Sequence, residues 1–151
     1  MNTSDLFKIP MEVQPHVKKY LEKLYGDEYI ISKMDSFGKM IMLMLTRDIN
    51  NVWECGPLKN HVKYTVFIPW GVWHNEGVSL DSKNRLFFNE IANQYFREKM
   101  YDYVVLQKRL YNRKFTESIR EYLKLYNITE DDLKFETIMR DFKRKKELFK
   151  S

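Results

Sequence analysis

Residues 115–151 read FTESIREYLKLYNITEDDLKFETIMRDFKRKKELFKS, and their apolar side chains recur at every third or fourth position. This spacing is typical of amphipathic helices, which hold one apolar face against a core. It predicts helices over residues 116–126, 129–134 and 136–149, with Thr129 as a capping residue. Two short helices and a turn before a longer helix are typical of a helix-turn-helix motif, in which the last helix contacts nucleic acid.

The C-terminal part of the chain is also its basic part. Residues 108–151 contain thirteen Lys and Arg against eight Asp and Glu, whereas residues 1–107 contain thirteen of each, so the C-terminal part carries the whole net charge of +5. A basic helix attached to a neutral body indicates contact with a polyanion, most often nucleic acid. The predicted contact residues are Arg140, Lys143, Arg144, Lys145, Lys146 and Lys150.

The order of residues in the last helix distinguishes two kinds of contact. Recognition helices place base-reading side chains near their start, but this helix begins with Glu136 and Thr137 and becomes basic later. The order therefore favours contact with phosphates over sequence reading, and it does not distinguish DNA from RNA.

Length and composition predict one folded domain. The chain has 151 residues, 44% of them hydrophobic, which is enough for one core and too few for two. A single cysteine, Cys55, and the lack of a signal segment or a long apolar run predict a cytoplasmic protein without membrane association. Within the domain we expect an extended lead-in over 1–14, a neutral α+β body over 15–112 and a basic helical part over 113–151.

The body is expected to be mainly helical with a small antiparallel β-hairpin. Helical spacing begins at Pro15 and ends at Gly26, and a second helix, capped by Ser32 or Ser36, runs to about Arg47. A long helix starts near residues 79–82 and reaches Leu110, with a break allowed. An apolar stripe is expected along it, at Leu86, Phe87, Ile91, Tyr95 and Phe96. Alternating apolar residues and the intervening Gly-Pro loop predict the hairpin strands, Asn50–Cys55 and His61–Trp70.

Two features of the body have both a structural and a functional interpretation. Residues 40–45 are apolar on every side of a helix, which indicates either a central core position or an adaptable methionine surface. Trp70 and Trp73 follow the second strand, on a segment that reads as a loop. Trp70 is expected in the core because it continues the buried face of the strand. Trp73 is the candidate for base stacking or partner contact.

No catalytic motif, metal site or cofactor site emerges from the sequence, so the protein is expected not to be an enzyme. Cys55, His61 and His74 lack the paired spacing of metal ligands, and there is no Gly-rich phosphate loop or nucleophile elbow. Acidic residues of a nuclease-like site, such as Asp81, Glu90 and Glu98, have no distinguishing pattern.

Residues 17–26 (VKKYLEKLYG), residues 128–133 (ITEDDL) and the basic end together resemble small uncharacterised proteins of bacteriophages and mobile elements from Bacteroidetes-type bacteria. The resemblance implies an accessory protein in the host cytoplasm that handles nucleic acid or interferes with a host system, with no catalytic residues. Two functions follow as hypotheses. The first is nucleic-acid binding. The second is a protein-binding module, such as an inhibitor of a host nucleic-acid enzyme or defence complex, a partner of a ribonucleoprotein, or a component of a phage assembly.

Overall fold

The computed structural model of the protein describes residues 5–45, 60–77, 80 and 82–148. Its fold is α+β and mainly helical, which confirms the predicted fold class. The described strands are β1 (Leu6–Val13), β2 (Glu28–Ile30) and β3 (Val62–Pro69). The described helices are α1 (Pro15–Tyr25), α2 (Ser36–Met44), α3 (Trp70–Glu76), α4 (Ser82–Tyr111), α5 (Phe115–Leu125) and α6 (Phe135–Leu148).

The three strands form a mixed sheet in the order β1-β3-β2. β3 is antiparallel to β1 and parallel to β2. As its alternating sequence predicts, β3 buries one face, with Tyr64, Val66 and Ile68 in the core. The predicted hairpin strand Asn50–Cys55 lies outside the described residues. The antiparallel partner of β3 in the described part of the chain is β1, which comes from the expected lead-in.

Proline in β1 fits the position of this strand at one edge of the sheet that the described strands form. Pro10 cannot donate a backbone hydrogen bond, and such residues are tolerated where the strand has no neighbour. The carbonyl oxygen of Pro10 accepts a hydrogen bond from the Arg85 guanidinium of α4 at 3.3 Å. The backbone of β1 at Pro10 is therefore paired with a side chain, which protects the edge from pairing with another strand.

By its internal contacts the chain divides into two compact units, Met1–Ala92 (unit 1) and Asn93–Ser151 (unit 2). The division falls inside α4, upstream of residue 113, where the basic part was predicted to begin. Unit 1 contains eleven Lys and Arg and eleven Asp and Glu, whereas unit 2 contains fifteen against ten. The net charge of +5 therefore belongs to unit 2. Folding of residues 1–151 as one domain stays a prediction.

α4 is a continuous helix of 30 residues, without the break that the sequence allowed. The most buried residues of α4 recur at every fourth position, so each lies about 40° further around the helix than the one before. They are Phe88 and Ala92 in unit 1 and Phe96, Met100 and Val104 in unit 2. Phe87, which the sequence placed on the apolar stripe, is 44% exposed.

α2 begins at Ser36, the residue predicted as its cap, and ends at Met44, before the predicted end at Arg47. Its N-cap is Asp35, whose carboxylate accepts a hydrogen bond from the backbone N–H of Gly38 at 2.7 Å. Ser32 instead accepts from the N–H of Met34 in the preceding turn. In the methionine-rich second half, Ile41 is buried and Leu43 is 87% exposed, so α2 is not covered on every side.

Unit 2 is built from the later part of α4 together with α5 and α6. The Tyr122 hydroxyl of α5 donates to the carbonyl oxygen of Phe96 in α4 at 2.8 Å, and the two rings pack with centroids 5.4 Å apart. The predicted short helix over 129–134 is wrong, because these residues form turns. The Asp132 carboxylate accepts from both the backbone N–H and the hydroxyl of Thr129, which closes the turn locally.

The buried tyrosines of unit 1 predict how its stability depends on pH. Burial, followed by the hydrogen bond that the Tyr29 hydroxyl donates to Asp35, raises the pKa of Tyr29. Burial, followed by nearby acids, raises the pKa of Tyr64 as well. In the unfolded chain both hydroxyls ionise at a pKa of about 10. The stability due to these groups is therefore fully present below about pH 10 and is lost as pH rises towards their folded pKa values.

We expect the free energy of unfolding to fall above pH 10 by up to about 1.4 kcal/mol per pH unit for each tyrosine. Urea denaturation at intervals from pH 8 to pH 11 measures this slope. A Tyr29→Phe variant should be less stable at pH 8, because its hydrogen bond to Asp35 is lost, and should show a shallower alkaline slope. An alkaline slope identical to that of the parent would contradict the assignment to Tyr29.

Candidate nucleic-acid interface

α6 has one buried and one exposed face. Ile138 and Phe142 are buried in unit 2, whereas Arg140, Lys143 and Arg144 are exposed. The helical spacing of 3.6 residues per turn places the three cations together on the side opposite the buried pair. The helix thus orients its cations outward because its apolar residues fix its rotation.

The three exposed cations have no salt-bridge or hydrogen-bond partner for their side chains among the residues that the structure describes. Arg140 and Arg144 are four residues apart, a spacing at which like charges repel and destabilise a helix by a few tenths of a kcal/mol. The arrangement leaves positive charge available for an external anion.

Other arginines of unit 2 are engaged within the protein. Arg97 of α4 forms a salt bridge with Asp141 of α6. Arg113 forms one with Glu121, which also accepts a hydrogen bond from the Tyr103 hydroxyl at 2.8 Å. Donation by Tyr103 and then by Arg113 holds the pKa of Glu121 below its ordinary value, so this carboxylate stays ionised and paired. Both arginines therefore join helices of unit 2.

Lys145 and Lys146, also predicted to contact phosphates, lie against aromatic rings. The Lys145 ammonium is 4.9 Å from the centroid of the Tyr101 ring, and the Lys146 ammonium is 4.3 Å from that of Phe115. Such cation–π contacts leave the charge in place and hold it near the surface. The sixth predicted residue, Lys150, lies outside the described residues.

Two acidic residues limit the basic surface. Glu136 and Glu147 are exposed near the two ends of α6, on the same side as the three cations. The positive surface is therefore confined to the middle of α6, where Arg140, Lys143 and Arg144 lie.

Lys108 was not predicted as a contact residue, although it lies next to the basic helix. Its ammonium group is 5.9 Å from the centroid of Phe115, the ring that Lys146 also contacts. Lys108 and Lys146 are far apart in sequence, so no local spacing could have indicated that they lie near the same ring. Only the packing of α4, α5 and α6 brings them together.

The segment with the two tryptophans is the helix α3 rather than a loop, and the expectation for Trp70 is wrong. Trp70 is 51% exposed and stacks on the His74 ring, with centroids 4.7 Å apart. Trp73 is half-buried, and its Nε1 is buried without a hydrogen-bond partner in the described part of the chain. The helix redirects both side chains, because continuing the face of β3 past Pro69 would have required an extended backbone.

The two alanine substitutions should therefore destabilise the protein in the opposite order to that expected from the sequence. Trp70→Ala is expected to change the free energy of unfolding by about 1 kcal/mol or less, because half of the side chain remains in water. Trp73→Ala should cost about 2 kcal/mol, somewhat below the range for a fully buried tryptophan. Urea denaturation of both variants checks this order, and a larger loss for Trp70→Ala would show that its ring is needed in the core.

A cleft of about 460 Å³ lies where α5, the following turns and α6 meet, with Arg120, Leu123, Lys124, Ile128 and Phe135 among its lining. Over one wall the Arg120 guanidinium packs on the Phe135 ring, 4.0 Å from its centroid. In the described residues no three His, Cys, Asp or Glu side chains are grouped so that they could hold a metal ion. Cys55, from the rejected metal set, lies outside those residues.

None of the described helices has the length and apolar composition needed to cross a membrane. No protein-family model, curated protein or solved structure matches the chain.

Proposed function

We propose that this chain is a non-enzymatic nucleic-acid-binding accessory protein of a phage or mobile element, acting in the host cytoplasm. It contacts phosphates through the basic face of α6. The observation that carries the proposal is the set of three exposed cations, Arg140, Lys143 and Arg144, which have no acidic partner among the described residues. Their placement on a unit that holds the whole net charge supports the same conclusion.

A group of exposed cations on one helix face favours contact with phosphates over recognition of a base sequence. Each lysine or arginine that neutralises a phosphate releases a condensed counterion, which makes affinity fall as salt rises. The exposed cations are spread over little more than one turn of α6, so about three phosphates are the expected footprint of this face. Affinity should therefore depend on salt more than on base composition.

Fluorescence anisotropy with labelled DNA and RNA, each single-stranded and duplex, tests the proposal across 50–200 mM salt. Over this range, three phosphate contacts are expected to weaken binding to B-DNA by about 40-fold. Oligonucleotides of different sequence and equal length should bind with similar affinity. Binding that is absent at 50 mM salt, or that does not change with salt, would refute the proposal.

A second candidate function is a protein-binding module, such as an inhibitor of a host nucleic-acid enzyme or defence complex. Its support comes from unit 1, which has no net charge and exposes large apolar side chains, including Met34 at 92% and Leu43 at 87%. Apolar surface on a neutral unit is typical of protein contacts. Pull-down from host lysate with and without nuclease separates the two functions, since a nuclease-resistant partner indicates direct protein contact.

A further inference from the structure

Two lysines from different helices converge on one aromatic ring of unit 2. Lys146 in the last turn of α6 and Lys108 in the last turn of α4 lie 4.3 and 5.9 Å from the centroid of Phe115. Phe115 is itself fixed by packing against Phe142, with ring centroids 5.1 Å apart. Both ammonium groups thus lie beside one ring, and an anion bound next to Phe115 would be attracted by both.

The pair extends the basic face of α6 towards α4. Residues three apart on a helix are neighbours, so Arg140, Lys143 and Lys146 follow one another along a single row. From Lys146 the row continues past Phe115 to Lys108. The row of cations therefore leaves α6 and crosses to the end of α4, a path that suits a flexible polyanion.

An exposed aromatic side chain lies next to the α4 end of this row. Tyr111 is three residues after Lys108 in the last turn of α4, and its side chain is 68% exposed. Aromatic rings beside a cationic groove bind unpaired bases by stacking, and this contact tolerates any base. In a duplex the bases are already stacked in pairs, so Tyr111 has a ligand only in a single strand.

We infer that unit 2 binds single-stranded nucleic acid across α6 and the end of α4. In this arrangement Lys108 and Lys146 hold the backbone beside Phe115, and Tyr111 stacks on an unpaired base. The inference rests on the proposed function and adds to it a class of ligand and two further contact residues, Lys108 and Tyr111.

The test measures affinity for a twelve-nucleotide oligothymidylate and for a duplex of the same length, at 0.1 M salt. Tyr111→Ala should weaken binding to the single strand by about 10-fold, within the range for loss of one stacked base, and leave duplex binding unchanged. Tyr111→Phe keeps the ring and should bind like the parent. Equal losses on both ligands, or no loss on the single strand, would overturn the stacking role.

Lys108→Gln should make the salt dependence on the single strand shallower by about 0.7 in the log–log slope, the value for one phosphate contact. Lys99→Gln is the matched control, because nine residues place Lys99 on the opposite face of α4 and its side chain is also exposed. Circular dichroism melting verifies that each variant is folded. A slope for Lys108→Gln equal to that of Lys99→Gln would overturn the assignment of Lys108.

The outcomes separate this inference from the proposed function. If the parent protein binds no nucleic acid, or binds without salt dependence, the proposed function fails and the inference fails with it. If the parent binds with a steep slope and both Tyr111→Ala and Lys108→Gln behave like the parent, the inference alone is refuted, and α6 remains the contact surface.

Discussion

Replacing Gly38 by alanine is expected to lower the free energy of unfolding by about 3 kcal/mol, at the upper end of the range for overpacking. A Cβ atom at this position would overlap the carbonyl oxygen of Ser32 and would lie 2.7 Å from its backbone nitrogen. All of these atoms belong to the backbone, so no side-chain rotation can make room. The N–H of Gly38 is also tied to the Asp35 cap, which keeps the first turn of α2 in place.

Gly71→Ala is the matched control for Gly38→Ala, because within 4 Å a Cβ at Gly71 would meet no atom of the described residues beyond its chain neighbours and its own helix backbone. Gly71 lies in α3, where alanine is favoured over glycine by about 0.5–1 kcal/mol. The control should therefore be neutral or slightly stabilising. Urea denaturation of both variants at 25 °C measures the difference. Equal changes in the free energy of unfolding would show that the backbone at Ser32 can shift at little cost. Close packing at Gly38 would then not limit stability.

The helices that keep one apolar stripe were predictable, and α1 shows why. Its apolar residues recur at helical spacing between Pro15 and Gly26, and the helix begins at Pro15 and ends just before Gly26. Gly26 adopts a positive φ of 91°, which glycine allows without strain. Where apolar periodicity and the residues at the helix ends agree, the local sequence is enough to predict the helix and its bounds.

The strand β1 was not recognised because its partner is remote and its pattern is irregular. Met11, Glu12 and Val13 are all buried, which hides the alternation expected of a half-buried strand. Its pairing with β3 joins residues that are remote in the sequence, as in the pair of Leu6 with Pro69. This strand depends on tertiary contacts between residues that are far apart in the sequence, so a short stretch of sequence does not reveal it.

The helix α3 was misread as a loop because Gly71 follows Pro69 and Trp70, a combination typical of turns. The structure instead places Pro69 just before the helix and Gly77, with a φ of 110°, just after it. Proline at the beginning and glycine at the end are ordinary helix boundaries. The two end residues were the better signal, and the internal glycine was misleading.

The candidate interface was predictable in part. Charge counting located the basic helix and its six predicted contact residues, three of which, Arg140, Lys143 and Arg144, are exposed. The contribution of Lys108 depends on the packing of three helices around Phe115, which composition does not reveal. The contact of Lys146 with Phe115 also means that its replacement removes a stabilising cation–π interaction as well as a charge.

Replacing Arg140, Lys143 and Arg144 together by glutamine is expected to weaken nucleic-acid binding by about 100-fold at 0.1 M salt, the loss for about three phosphate contacts on a single strand. The fold should persist, because all three side chains are exposed and none forms a salt bridge within the described residues. Stability should change by about half a kcal/mol or less per substitution. Lys146 is left unchanged in this variant because it packs on Phe115.

The control variant replaces Lys23, Lys33 and Lys39 by glutamine. These lysines are exposed on unit 1, and the substitution removes the same number of charges from the chain. A loss of affinity caused only by lower net charge would appear equally in both triple variants. A loss confined to the α6 variant assigns phosphate contact to that helix.

The most direct measurement is the slope of the logarithm of the binding constant against the logarithm of salt concentration, determined for the parent and the two triple variants. We expect the α6 variant to have a slope shallower than that of the parent by about 2 on single strands, or by about 2.7 on B-DNA. The unit 1 variant should keep the slope of the parent. Identical slopes for all three proteins would contradict phosphate contact by the basic face of α6.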